Sequence, residues 1–190
     1  MSSIASAARL ALVDPETASP AVSKAFAKLP VINVFRAMAN AESVYPAFID
    51  FLSLLFRPLE IDAALERMIV LRVALLGECF YAWRQNVVVA RSVGVTEQQI
   101  SALERGDMVA KCFSPAQQAA FAFTDEVVFM VETTDASYGR AKQYFTDRAL
   151  TEMLFVIGNY MLVARVIRTG RVPLDEKPPP SPQQEHRAGA

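Results

Sequence analysis

Apolar residues at three- to four-residue spacing recur through the middle of the chain, and this helical period constrains the fold more than any other feature. Helix start signals stand where such stretches begin. Thr96 and Ser114 are each followed by a glutamine three residues later, which is the capping-box pattern. No stretch of the sequence sustains the apolar–polar alternation of a half-buried strand. The sequence therefore predicts an all-α fold.

The same pattern predicts where individual helices lie. Asp62 is a suitable N-cap for a helix through Leu76, and that helix is apolar nearly all round, which predicts a central position. A second helix follows at about 79–93. In 42–56 an apolar stripe is predicted to face the core; its members are Val44, Phe48, Phe51, Leu52, Leu55 and Phe56. Further helices are predicted at 21–29, from Thr96 onward, and at 114–132, 136–145 and 147–169.

Composition along the chain predicts one folded domain between two tails. Residues 1–19 are rich in serine and alanine and form a predicted N-terminal extension. Residues 20–172 form a predicted single all-α domain, since 190 residues bury one sizeable core. Residues 173–190 contain five prolines and form a predicted Pro-rich C-terminal tail.

Targeting and membrane signals are not recognised in the sequence. Arg9 interrupts the apolar part of residues 1–13, so no signal peptide is predicted there. The longest apolar stretches, 68–76 and 153–164, are shorter than the roughly 18–20 residues that a bilayer span needs. We therefore expect a cytoplasmic protein with no membrane partner.

Charge and residue counts exclude several classes of function. The net charge is −1 and the basic residues are scattered, so no nucleic-acid partner is expected. His186 is the one histidine and lies in the Pro-rich tail, which argues against a histidine-based triad, general base or metal site. Cys79 and Cys112 are 33 residues apart and match neither a redox pair nor a zinc spacing. Neither a metal nor another cofactor is predicted.

Several short segments together resemble one known family. In the first half these are Asn-Val-Phe-Arg-Ala-Met-Ala-Asn at 33–40, Ile-Val-Leu-Arg-Val-Ala at 69–74, Cys-Phe-Tyr-Ala-Trp at 79–83 and Gly-Val-Thr at 94–96. In the second half they are Phe-Ser at 113–114, Phe-Thr-Asp-Glu at 123–126, Gly-Asn-Tyr at 158–160 and Val-Pro-Leu-Asp at 172–175. This combination resembles the carboxymuconolactone decarboxylase and alkylhydroperoxidase D-like family. The resemblance implies an all-α helical bundle that assembles into homo-oligomers, as trimers or hexamers with a dimer as the alternative. It also implies a small pocket between helices near a subunit interface.

The residues that carry the family's chemistry differ in this sequence. The family has an Arg-Glu pair whose glutamate relays a proton, where this chain has Glu66-Arg67. The hydroperoxidase branch has two cysteines and a histidine, and the corresponding residues here are Cys79, Ala82 and Asn86. The resemblance thus implies a site in which one thiol remains and the usual titrating groups are replaced.

The decarboxylase branch of the family gives a matching comparison. It has Tyr-Glu-Trp and then a histidine three residues after the tryptophan; this chain has Tyr81, Ala82 and Trp83, followed by Asn86. Aromatic residues are retained while the ionisable ones are not. Helical spacing independently predicts that Cys79, Ala82 or Trp83, Asn86 and Ala90 share one helix face.

Two arginines on the apolar helix need a counter-charge, because a guanidinium does not neutralise itself. For Arg67 and Arg72 the sequence offers Glu66 or Asp62 as structural partners, or an anionic ligand.

Asn86 has two interpretations: a donor to a developing oxyanion, or a buried amide that satisfies backbone groups. Cys79 is either a small buried apolar residue or a nucleophile. Three further acids, Asp125, Glu126 and Glu152, are candidates for a displaced general base or for helix-terminal partners.

The resulting prediction is a divergent, cofactor-independent lyase or isomerase that acts on a small carboxylate, lactone or dicarbonyl compound through an enolate. The candidate catalytic residues are Arg67, Asn86 and Cys79, and the candidate substrate-binding residues are Tyr81, Trp83, Arg72 and Ala82. The alternative is a non-catalytic ligand-binding or structural oligomer. A thiol-dependent hydroperoxidase is a third hypothesis, disfavoured because position 82 carries no second thiol.

Overall fold

A computed structural model describes residues 7–176, and these residues form helices joined by turns, with no strand among them. The all-α prediction is confirmed. The helices are α1 Pro20–Phe26, α2 Asn33–Met38, α3 Tyr45–Leu55, α4 Ala63–Leu76, α5 Phe80–Ser92, α6 Glu97–Glu104, α7 Pro115–Met130, α8 Asp135–Ala141 and α9 Asp147–Gly170.

The predicted caps set the beginnings of three helices. The Asp62 carboxylate accepts a hydrogen bond from the backbone N–H of Leu65 and starts α4. Thr96 and Ser114 both form complete capping boxes with the glutamines three residues later. Gly94 follows α5 with a φ of +94°, a left-handed conformation that glycine adopts without a steric penalty. These sequence predictions are confirmed.

The described residues form two compact units: 7–57 with 162–176, and 58–161. Helix α9 contributes residues to both units. The domain boundaries predicted at 19 and 172 stay predictions. Most of the Pro-rich tail, including His186, lies outside the described residues.

In the first unit, α2 was not predicted from the sequence. The N-cap residue of α2 is Ile32, and its side chain makes no capping hydrogen bond. Instead the carboxylate of Asp175 accepts a hydrogen bond of 2.8 Å from the backbone N–H of Asn33. The backbone N–H of Val13 donates to the carbonyl of Arg36 at 3.2 Å. Because these partners lie far away in the sequence, local patterns do not reveal the helix.

Helix α3 corrects one sequence prediction. Its buried residues are Tyr45, Ile49 and Leu52, while Val44 is 60% exposed and Phe51 and Phe56 are also exposed. The predicted stripe is therefore wrong for Val44, Phe51 and Phe56, whereas Leu52 is buried and Phe48 and Leu55 are half-buried. Both sides of this helix are apolar, so periodicity alone does not select the buried one. The ring of Tyr45 packs 5.2 Å from the ring of Phe26, which selects the Tyr45 side.

The second unit is built around α4, as its composition predicted. Met68, Ile69, Val70 and Leu71 are fully buried, so every side of this helix is covered. Helices α5, α6 and α7 pack against it. The centre of this unit is therefore a single apolar helix, and any polar side chain on that helix must find its partners inside the protein.

Helix α9 is longer than its apolar stretch 153–164 indicated. It has 24 residues and, by length and composition, is long and apolar enough to cross a membrane. The sequence-based expectation that this segment is too short to cross a membrane is therefore wrong, because the helix itself is long enough. Core helices of proteins outside membranes pass the same test, and Met153, Val156 and Ile157 of α9 are fully buried within the protein.

Candidate active site

Helix α4 carries a buried ion pair between two residues adjacent in sequence. Glu66 and Arg67 are each only 7% exposed. The Nε of Arg67 lies 2.5 Å from Oε2 of Glu66, and Nη2 of Arg67 donates to Oε1 of Glu66 at 2.9 Å. The guanidinium thus engages both carboxylate oxygens. The carboxylate of Glu66 is one of the two that the sequence offered as partners.

Helix α5 supplies an amide to the same place. The Oδ1 of Asn86 accepts a hydrogen bond of 2.9 Å from Nη1 of Arg67. The Nδ2 of Asn86 donates at 2.8 Å to the backbone carbonyl of Ala82, one turn earlier in α5. Asn86 is therefore oriented by its own helix and in turn orients Arg67.

Helix α9 adds a phenol that sequence reasoning did not place. The hydroxyl oxygen of Tyr160 accepts a hydrogen bond of 2.8 Å from Nη1 of Arg67. The carbon at the centre of that guanidinium lies 5.8 Å from the centroid of the Tyr160 ring. The one sequence signal was the Gly-Asn-Tyr segment at 158–160, which carried part of the family resemblance. We call Glu66, Arg67, Asn86 and Tyr160 the polar cluster.

Burial changes the titration of the polar cluster. Loss of solvent raises the pKa of Glu66, although the charge of Arg67 and its hydrogen bond act in the opposite direction. Burial also raises the pKa of the Tyr160 phenol, which Arg67 partly offsets. For Arg67, burial alone would lower the pKa, but Tyr160 and Glu66 outweigh it and the pKa is raised. The cluster therefore combines a permanent cation, a carboxylate of increased basicity and a neutral phenol.

The remaining predicted residues of α5 are buried. Cys79 is the N-cap residue of α5 and is 1% exposed, and its side chain does not cap the helix. Tyr81, Ala82 and Trp83 are buried on the first turns of the same helix. Asn86 and Ala90 are also buried, in agreement with the shared face that helical spacing indicated.

The second predicted arginine of α4, Arg72, is bound outside the polar cluster. Its Nε and Nη2 each donate at 2.7 Å to the two carboxylate oxygens of Asp125 on α7. This is the bidentate arrangement that guanidinium and carboxylate groups favour. The pair joins α4 to α7, and neither Glu66 nor Asp62 takes part in it. It also gives Asp125 a structural partner.

The two other candidate bases stand at helix ends. Glu126 accepts a hydrogen bond of 2.8 Å from the backbone N–H of Thr134, just before α8. Glu152 accepts one of 2.7 Å from the backbone N–H of Glu60 and pairs with Arg148 at 2.9 Å. Burial acts to raise the pKa of Glu152, but these two partners outweigh it and the pKa is lowered. Both carboxylates therefore have structural partners outside the polar cluster.

Residues 7–176 contain no cluster of metal-ligating side chains. No three histidine, cysteine, aspartate or glutamate side chains within this range are grouped so as to hold a metal ion. Cys79 and Cys112, both in this range, are not joined by a disulfide.

Comparison with known proteins finds one family whose model matches part of the chain. Residues 42–126 match the model of the carboxymuconolactone decarboxylase family. That segment runs from just before α3 into α7 and includes three of the four residues of the polar cluster. No curated protein matches the chain significantly.

Solved structures share the fold at low sequence identity. An uncharacterized peroxidase-related protein from Ralstonia eutropha JMP134, described as an alkylhydroperoxidase AhpD core, is 16% identical with a TM-score of 0.77, covering 89% of this chain and 93% of that one. An uncharacterized peroxidase-related protein from Silicibacter sp. TM1040 is 19% identical with a TM-score of 0.73, covering 90% and 93%. The debrominase Bmp8 is 15% identical with a TM-score of 0.70, covering 84% and 88%. Residues 42–126 are thus similar to the carboxymuconolactone decarboxylase family, and the chain shares its fold with AhpD-like structures.

Proposed function

We propose that the polar cluster binds a small lactone, dicarbonyl or carboxylate compound and promotes an enolate-forming lyase or isomerase reaction without a cofactor. The observation that carries this proposal is the ion pair of Glu66 and Arg67 on an otherwise apolar, central helix. A buried ion pair is expensive to desolvate, and well-packed apolar residues often replace one without loss of stability. Its presence therefore supports a chemical role.

Glu66 takes the part of the general base in this proposal. The family's proton-relay glutamate is displaced by one position, and the structure brings Glu66 into contact with Arg67 inside the protein. Because burial raises its pKa, the Glu66 carboxylate is a stronger base than an exposed glutamate. It accepts the proton from the carbon next to the ligand carbonyl and later returns it to carbon.

Arg67 holds the base in this scheme. Its guanidinium donates to Glu66, Asn86 and Tyr160, so it keeps the carboxylate ionised and in place. The sequence suggested instead that Arg67 holds an anionic ligand. The formal charges of Glu66 and Arg67 sum to zero, and a ligand carboxylate would bring an unpaired charge into a buried site. We therefore favour a neutral lactone or dicarbonyl compound over a carboxylate.

The remaining candidate residues have secondary roles in the proposal. Tyr81 and Trp83 are buried on α5, one turn or more before Asn86, and are proposed as walls of the site. Ala82 contributes its carbonyl, which fixes the Asn86 amide. We leave Arg72 outside the site, because Asp125 engages its guanidinium. The match to the family model and the fold shared with a debrominase support a catalytic or ligand-binding role in general.

Proton exchange tests the proposal directly. Small lactones and 1,3-dicarbonyl compounds are incubated with the protein in D₂O, and loss of the hydrogen next to the carbonyl is followed by ¹H NMR against buffer alone. We expect the wild type to accelerate exchange of at least one compound and Glu66→Gln to abolish that acceleration. Glu97→Gln is the matched control, since Glu97 is exposed and pairs with Arg91. Exchange at the buffer rate with every compound would contradict the proposal.

A thiol peroxidase is the second candidate, because Cys79 lies at the N-terminus of α5 and two of the structures described above are peroxidase-related. A helix N-terminus lowers the pKa of a thiol, which favours the reactive thiolate. Against this, Cys79 is buried and position 82 is alanine. We expect no peroxide consumption with a dithiol reductant. Consumption that is lost in Cys79→Ser would support this candidate instead.

We also propose that the protein is a cytoplasmic homo-oligomer, a trimer or hexamer, whose partner is a small molecule. Exposed apolar side chains support the assembly: Val44, Phe51, Leu54 and Phe56 in and beside α3, and Phe129, Met130 and Val131 at the end of α7. Size-exclusion chromatography with light scattering measures the mass. Elution as a monomer would contradict the assembly and favour neither catalytic proposal.

A further inference from the structure

Tyr160 is the most accessible member of the polar cluster. Glu66, Arg67 and Asn86 are buried, whereas Tyr160 is half-buried. Tyr160 is therefore the one member of the cluster whose residue surface is not fully covered. The chemistry of the Tyr160 hydroxyl then decides which ligand atom the cluster contacts.

Most of the N–H hydrogen atoms of the buried members make short hydrogen bonds. Arg67 donates from Nε and Nη2 to Glu66, and from Nη1 to both Asn86 and Tyr160, at 2.5 to 2.9 Å. Asn86 donates to the Ala82 carbonyl at 2.8 Å. Each of these N–H groups would have to give up a short bond inside the protein before it could donate to a ligand.

The hydroxyl hydrogen of Tyr160 is held far less tightly. Its acceptor is Oδ1 of Asn86 at 3.4 Å, and that oxygen already accepts from Arg67 at 2.9 Å. An O–H···O bond ordinarily spans 2.5–3.0 Å, so the Tyr160 bond is weak. Rotation about the phenolic C–O bond turns the hydrogen toward another acceptor at little cost.

Arg67 also strengthens the phenol as a donor. Its N–H bonds to the hydroxyl oxygen at 2.8 Å and draws electron density from the O–H bond. Burial keeps the phenol protonated at neutral pH, since it raises the pKa of Tyr160. The geometry thus provides a neutral, polarised O–H group in the cluster, which is the type of donor that stabilises a developing oxyanion.

We propose that the Tyr160 hydroxyl donates a hydrogen bond to the enolate oxygen of the bound ligand, and this assignment rests on the proposed function. The carbon next to the ligand carbonyl loses its proton to Glu66, the electron pair of that C–H bond forms a C=C bond, and the π pair of the C=O bond moves to the oxygen. Tyr160 keeps its proton and stabilises the resulting negative charge. When Glu66 returns the proton to carbon, the charge on the oxygen disappears.

The assignment is tested by two matched ligands and three proteins. Acetylacetone forms an enol and an enolate, whereas 3,3-dimethylpentane-2,4-dione has the same carbonyl groups and no hydrogen between them. Calorimetric titration measures the affinity of wild type, Tyr160→Phe and Tyr144→Phe for each compound. Tyr144 is the control because it is 46% exposed and takes no part in the polar cluster. We expect Tyr160→Phe to lose about tenfold or more of the preference for acetylacetone, and Tyr144→Phe to keep it.

Each outcome decides the assignment. An unchanged preference in Tyr160→Phe would overturn it and leave the proposed function standing. An equal loss of affinity for both compounds would also overturn it, because Tyr160 would then shape the site without bonding to the enolate oxygen. Binding of neither compound by the wild type would overturn the proposed function and this assignment together.

A second measurement does not depend on the folding of the phenylalanine variant. The protein carries 3-fluorotyrosine at position 160 only, and its ¹⁹F resonance is recorded with each ligand. A shift with acetylacetone that the dimethyl compound does not cause supports the hydrogen bond to the enolate oxygen. The same shift with both compounds, or no shift with acetylacetone, would overturn it.

Discussion

Replacing Arg67 by methionine removes the cation from the polar cluster while keeping most of the side-chain volume. Glu66 then stays buried without its main partner, and Asn86 and Tyr160 lose the donor at 2.9 and 2.8 Å. Breaking a buried ion pair by removing one partner costs about 3–5 kcal/mol. We expect a loss of that size in the free energy of unfolding at pH 7.5.

The loss should depend on pH in a defined direction. Burial raises the pKa of Glu66 above its usual 4.5, and the charge and hydrogen bond of Arg67 act against that increase. The variant lacks this opposing effect. An acid whose pKa is raised in the folded state contributes stability that is complete below its unfolded pKa and is lost as the pH rises through the folded pKa. The free energy of unfolding that Arg67→Met loses relative to wild type should therefore be smaller near pH 4.5 and larger at pH 7.5.

Urea denaturation at the two pH values provides the assay, with two control variants. Arg148→Met removes an arginine that is 71% exposed and also pairs with a glutamate, and it should cost less than about 1 kcal/mol. The double variant Glu66→Gln with Arg67→Met removes both charges and should recover much of the loss. A cost below about 1 kcal/mol for Arg67→Met, or a cost that does not change with pH, would refute this account of the cluster.

Three further predictions concern the framework around the site, and urea denaturation measures each. Asp125→Asn should lower the free energy of unfolding by about 1–3 kcal/mol, because it weakens two bonds of 2.7 Å to a mostly buried arginine, and a change within error would contradict that role. Val131→Gly should raise it by about 1 kcal/mol, because Val131 is a branched residue with a φ of +70°, and a decrease would show that its side chain is needed. Ser114→Ala should lower it by about 1 kcal/mol through loss of the α7 capping box, and equal stability would argue against that cap.

The sequence predicts the helices well because their ends are determined locally. The side chains of Asp62, Thr96 and Ser114 each accept a hydrogen bond from the backbone N–H three residues later. Four consecutive residues are therefore enough to predict each of these helix starts. Helix α2 lacks such a signal, since its N-terminal N–H bonds to Asp175 from the other end of the chain. Helix α3 has apolar residues on both sides, and its buried side depends on a contact with Phe26.

The site is only partly predictable for a similar reason. Its members on α4 and α5 are visible as polar residues on apolar helices, and spacing along each helix limits which of them share a face. The position of Tyr160 depends instead on how α9 returns to α4 more than ninety residues later. The partner of Arg72 depends on the packing of α7 in the same way. Neither contact follows from spacing within one helix.

Fluorescence of Trp83 tests most directly whether the polar cluster is a ligand site. Trp83 is the one tryptophan of the chain and lies one turn before Asn86 on α5. Its emission is titrated with small lactones, 1,3-dicarbonyl compounds and carboxylates in wild type, in the double variant Glu66→Gln with Arg67→Met, and in the control Arg148→Met. We predict a saturable change in wild type and in Arg148→Met that is lost in the double variant. An unchanged emission in folded wild-type protein with every compound, or the same titration in the double variant, would contradict the account.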